Sequence, residues 1–200
     1  MSQGERILQK QYGTTKRAIA FYNNQMLSYL NEEMTKFISN QGMVFIATAD
    51  ANGNCDSSFK AGSKGFVRVI NEKTLIYPEY RGNGVMASLG NIIENPHIGL
   101  LFIDFFEHQV GLHINGKASI IENNQLSSLK VSEKMVNDIN EKEGNKPERW
   151  VVVNVDEAYI HCSKHIPKLN QLDKTIHWGT DDIKQKRGDF FNAKKNNRMR

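Results

Sequence analysis

YPEYRGNGVMASLGNIIENPHIGLLFIDF, residues 77–105, decides how this chain is read. An apolar strand ends at Tyr77-Pro78. Arg81 and two glycines, Gly82 and Gly84, follow at once, and a helix is expected from about Gly84 to Glu94. It should stop before Asn95-Pro96, because the residue before proline avoids the helical region. HIGLLFIDF (97–105) is a second buried strand. The amides that open a helix lack intrahelical partners and carry partial positive charge, which favours an anion. Arg81 adds a planar fork of donors suited to phosphate. The bland reading of the same residues is a turn that needs positive φ, with a solvated arginine.

Outward from this block the pattern is mostly hairpins. TLIYP (74–78) returns from GFVRVI (65–70) through Asn71-Glu72-Lys73. MVFIATAD (43–50) returns as CDSSFKAG (55–62) through Asn52-Gly53, a pair that supplies the positive φ of a tight turn. Ser58 and Lys60 lie two apart, so they share a strand face. Asp56 continues that face; it would repel a phosphate and is expected beyond it. VGLHINGKASII (110–121) alternates, with one wet or ligand-facing side, and RWVVVNVDEAYIHCS (149–163) is a long final strand.

Two amphipathic helices complete the pattern. One is expected from Thr14 or Thr15 to about Asn40, the other from Gln125 to about Glu143, each with apolar residues at three- and four-residue spacing. Residues 1–13 read as a polar arm, residues 164–180 as irregular, and the tail from Lys184 as polar and basic. About six hairpin-connected strands without βαβ alternation exclude a doubly wound sheet. The expectation is a mainly β chain with flanking helices (α+β), forming a small antiparallel barrel. It divides into an N-terminal arm and helix packed on the barrel (1–40), the barrel domain with its inserted helices (41–165) and a C-terminal extension with a basic tail (166–200).

Composition narrows the function classes. The chain has 200 residues, 39% hydrophobic and 24% charged, with a formal net charge of +4. That charge suits an anionic ligand and is too weak to argue for nucleic acid; the terminal KKNNRMR reads as a solubilising end. Cys55 and Cys162 are expected as unpaired thiols. No run of apolar residues is long enough to span a membrane and no apolar signal core opens the chain, so a cytoplasmic protein is expected. His161, Cys162 and His165 read as packing rather than a metal site, because they sit at a strand end with no fourth ligand nearby. Phe102, Phe105, Phe106 and Trp150 are expected in the core.

The order FIATAD-x-x-G, SSFKAG, GFV, RGN, SLGNI-x-x-NP-x-x-GLLF, NGKA and a late Y-x-H-C resembles the pyridoxamine 5′-phosphate oxidase-like family, the FMN-binding split barrels. The resemblance covers roughly residues 30–165. It implies a split β-barrel and a homodimer with FMN in a cleft at the subunit interface. It also implies that Ser58, Lys60, Arg81, Asn83 and Ser88 hold the flavin phosphate. Backbone at Pro78, Glu79 and Tyr80 would line the isoalloxazine edge, with His113 pointing to the cleft. The implied activity is an FMN-dependent oxidoreductase on a small-molecule substrate. The alternative is a non-catalytic flavin- or haem-binding or sensing protein, with His113 or His97 as axial ligand. True pyridoxamine-phosphate oxidases carry an R-x-x-L-L-K strand and a C-terminal R-L-x-P. Neither is present here, so vitamin B6 oxidation is not expected.

Overall fold

Alternation settles which way each strand faces. In strand β2 (Met43–Ala49), Val44, Ile46 and Thr48 are buried while Phe45 and Ala47 face outward, as the period of two in a pleated strand requires. The structure, a computed structural model, describes residues 2–180, 182–185 and 188–194. Its other strands are β1 (Met26–Leu27), β3 (Cys55–Ala61), β4 (Arg68–Asn71), β5 (Thr74–Tyr80), β6 (His97–Asp104), β7 (Val110–Glu122) and β8 (Pro147–His161). Every pairing is antiparallel, in the order β3-β2-β6-β7-β8-β5-β4, with β1 on β8.

The sheet curls on itself. β3 and β5 lie far apart in that order, yet Lys60 Nζ of β3 donates to both carboxylate oxygens of Glu79 on β5, at 2.7 and 2.8 Å. One core fills the inside, with Ile46, Tyr77, Phe102, Ile114 and Val153 from five different strands. The result is an antiparallel barrel whose ladder stays open at a seam, with side chains rather than backbone bonds crossing the gap. β5 and β8 are covered on both faces. Ile76, Trp150 and Val152 point away from the barrel interior, against Ile139 of helix α5 (Glu133–Lys142). That explains their nearly continuous burial where other strands alternate.

The helices depart from expectation more than the strands do. The helix expected over 14–40 is two, α2 (Thr15–Gln25) and α3 (Glu32–Ser39), with β1 between them. Met26 is already extended, and Met26 and Leu27 pair with Tyr159 and Ala158 of β8. Asn31 then caps α3, its Oδ1 accepting from Met34 N–H at 2.9 Å. Part of the expected arm is helix α1 (Gln3–Gln11), closed by a capping box between Ser2 and Glu5. The helix expected over 125–143 is a 3₁₀ segment, Asn123–Leu129, followed by α5, with left-handed Lys130 (φ 50°) between them. Helix α4 (Ala87–Glu94) begins three residues later than Gly84. The tail beyond Ala193 lies mostly outside the described residues.

A buried charge network ties α5 to the barrel. Arg68 Nε donates to Asp138 at 2.9 Å, Nη1 to the Phe66 carbonyl at 3.0 Å and Nη2 to Glu143 at 3.0 Å. Glu143, 1% exposed, accepts a second bond from the Tyr80 hydroxyl at 2.6 Å. The guanidinium also lies 5.9 Å from the Trp150 ring centroid. Burial works against the Asp138 anion, but hydrogen bonds from Lys142 and Arg68 hold its carboxyl below the usual range. Burial first, and then the bond to Glu143, push the Tyr80 hydroxyl well above the ordinary phenol range.

Candidate functional site

The seam opens into a cavity of about 640 Å³. β3 supplies Asp56, Ser58 and Lys60; β5 supplies Glu79 and Tyr80; the loop 81–86 forms the rim. α4 contributes Ser88 from its first turn, and the start of β8 adds Glu148 and Arg149. The strand register explains the β3 contribution. Ser58 stands opposite buried Ile46 and Lys60 opposite buried Val44, so both project to the inner side of the curled sheet. Their neighbours Ser57 and Phe59 face out.

Seven of the nine residues singled out from the sequence therefore line one cavity: Ser58, Lys60, Glu79, Tyr80, Arg81, Asn83 and Ser88. Pro78 is buried in β5, paired with Trp150, and does not line it. His113 does not line it either. His113 stands in a cross-strand row with Leu101 and Phe45, on the outer face of the sheet, whereas Lys60 and Ser58 point in. Asp56, expected beyond the site, is inside it. Its Oδ2 accepts from the Ser88 hydroxyl at 2.8 Å. The expectation of repulsion overlooked that a carboxylate can tether strand to helix through a hydroxyl.

Electrostatically the cavity is mixed. Glu79 engages Lys60 with both oxygens. Glu148 accepts from Arg81 Nε at 2.9 Å and from Arg149 Nη1 at 3.4 Å. Asn83 folds back to accept from Val85 N–H at 3.0 Å. Met86, at φ 57°, turns the chain into α4 without a side-chain cap, and Ala87, Ser88 and Leu89 of the first turn line the cavity, where a helix start carries partial positive charge. The donor set suits a phosphate, and the carboxylates oppose one. Tyr80 joins the cavity to the buried Arg68–Glu143 network, a connection spanning 63 residues of sequence that no local pattern reveals.

Outside the cavity, His113 Nε2 and His161 Nδ1 lie 2.8 Å apart, and His113 stacks on Tyr159 with centroids 4.8 Å apart. Burial, and then the neighbouring His161, lower the His113 pKa below that of a free imidazole. Its neutral form is favoured by folding. This contribution to stability is full above the unfolded value near 6.5 and is lost as pH falls through the depressed folded value. Lowering the pH from about 7 to 5 should therefore lower the denaturation midpoint, and His113→Gln should flatten that dependence. An equally steep profile in the variant would remove His113 as the cause. Cys55 and Cys162 are free and exposed. Among the described residues no group of three or more His, Cys, Asp or Glu is placed to hold a metal, and no helix is long and apolar enough to cross a membrane.

The pyridoxamine 5′-phosphate oxidase family profile matches residues 30–162. No curated protein matches the sequence significantly. Solved structures of similar shape include HupZ of Group A Streptococcus (22% identical, 70% of this chain, 98% of that one, TM-score 0.49). An FMN-binding protein of Syntrophomonas wolfei is 14% identical (80% of this chain, 97% of that one, TM-score 0.46). The haem storage protein HutZ of Vibrio cholerae is 16% identical (66% of this chain, 94% of that one, TM-score 0.45).

Proposed function

Because the chain belongs to the pyridoxamine 5′-phosphate oxidase family, we propose that it is a cytoplasmic FMN-binding flavoprotein, an oxidoreductase acting on a small molecule as a homodimer. The observation that carries this is the seam cavity. It gathers Lys60, Arg81, Ser58, Ser88 and the uncapped start of α4 around a space of about 640 Å³. Lys60 and Arg81 would bind the phosphate as charged donors, and Ser58 and Ser88 would orient it. Tyr80, held by Glu143, would form a fixed wall beside the ring system. FMN, when bound, supplies two-electron chemistry that no side chain offers. The outer sheet face supports the dimer. Phe45 and Phe59 are 36% and 54% exposed, with ring centroids 5.4 Å apart, an apolar surface suited to a second copy.

Haem on His113 is the weaker reading, because His161 already engages its Nε2 and an iron would have to displace that bond. The test is titration of the purified protein with FMN and with riboflavin, followed by flavin fluorescence, and then an assay with reduced nicotinamide. FMN should bind about tenfold or more tightly than riboflavin, the margin expected for charge-assisted bonds of about 1.5–3 kcal/mol to the phosphate. Equal affinity for the two would refute recognition of the flavin phosphate in the seam, and no binding of either would refute the flavin itself.

A further inference from the structure

The seam cavity's charges cancel before any ligand arrives. Lys60, Arg81 and Arg149 face Asp56, Glu79 and Glu148. The tightest of these contacts is Lys60 with Glu79. Both oxygens are engaged, and the two side chains are 17% and 16% exposed. A pair so sheltered feels a weaker solvent screen than a surface salt bridge. Glu79 thus occupies the position that an incoming anion needs.

We propose that Glu79 is an internal counter-anion and sets the charge selectivity of the site. A ligand binds by exchanging its phosphate for the Glu79 carboxylate on Lys60. No covalent bond changes in this exchange. A monoanion brings the same charge as Glu79 and competes poorly, because Glu79 is tethered and its effective concentration is high. A dianion brings twice the charge and can also take the Ser88 hydroxyl from Asp56 and the first-turn amides of α4. The site therefore accepts phosphate monoesters and rejects diesters and carboxylates. This inference rests on the reading that the seam holds a phosphate, and it assigns the Glu79 side chain a role separate from that of its backbone.

The test is calorimetric titration of the whole protein at about pH 8, where phosphate is largely a dianion. The ligands are inorganic phosphate, dimethyl phosphate, FMN and riboflavin. The wild-type protein should bind phosphate at least about tenfold more tightly than dimethyl phosphate. Glu79→Gln, which preserves shape, should tighten phosphate and FMN about tenfold and leave riboflavin unchanged, on the scale of one charge-assisted bond. Lys60→Met combined with Glu79→Gln should cancel that gain. Phosphate affinity within twofold of wild type in Glu79→Gln would overturn the proposal. So would equal wild-type affinity for phosphate and dimethyl phosphate, a measurement that needs no variant. The two readings fail separately. Phosphate that responds to Glu79→Gln while FMN does not bind removes the flavin and keeps the counter-anion. FMN that binds both proteins equally keeps the flavin and removes the counter-anion. No binding of either ligand overturns both.

Discussion

Arg68→Met should destabilise the protein by about 3–5 kcal/mol, the range for removing one partner of a buried ion pair. In a chain of this size that is a fall in melting temperature of roughly 6–20 °C. The reason is what stays behind. Glu143 is 1% exposed and, among the described residues, would keep only the Tyr80 hydroxyl as a side-chain partner. Asp138 would keep Lys142, at 2.5 Å on the helix surface. The Trp150 ring would lose the guanidinium beside it. The double variant Arg68→Met/Glu143→Leu should recover most of the loss, because the stranded charge is gone. Thermal and urea denaturation of the four proteins in this cycle measure the coupling directly. A single variant that melts within about 2 °C of wild type would mean that the network contributes little.

The second large effect is expected at Gly116. A Cβ built there would stand 2.1 Å from the Asn154 carbonyl oxygen and 3.0 Å from its carbon. Both are backbone atoms of the neighbouring strand, so no side-chain rotation relieves the overlap. The position coincides with a register irregularity between Asn115 and Gly116 in the long β7–β8 ladder. Gly116→Ala should cost about 3 kcal/mol, at the upper end of overpacking penalties. Gly90 is the contrast: it lies in helix α4, and a Cβ there would meet nothing within 4 Å. Gly90→Ala should stabilise by about 0.5–1 kcal/mol through helix propensity alone. Urea midpoints measure both variants. Equal effects from the two substitutions would contradict the close strand approach.

The strands were legible because alternation and turn chemistry are local. Phe45 and Ala47 out, Val44 and Ile46 in, follows from pleating alone, and Asn52-Gly53 marks its hairpin, where Gly53 has φ 84°. The helix breaks were not legible. Met26, Tyr29 and Leu30 continue the helical spacing of the residues before them, but pairing of β1 with β8 outweighs it, and that pairing is tertiary. The cavity lining was largely legible through Ser58, Lys60 and the residues around Arg81. Its ion pairs were not. Lys60 meets Glu79 only because the sheet curls, and Arg68 meets Glu143 across 75 positions. His113 shows the limit of alternation. Its strand has two sides as expected, but only the register with Leu101 and Phe45 shows that its side is the outer one.

A crystal structure of the protein grown with FMN would show where the phosphate sits and what Lys60 holds. The phosphate is expected in the seam, within hydrogen-bond distance of Lys60 Nζ and Ser88 Oγ, with the Glu79 carboxylate turned away from Lys60. Flavin bound anywhere else, or the Lys60–Glu79 pair intact beside a phosphate held by other residues, would contradict it.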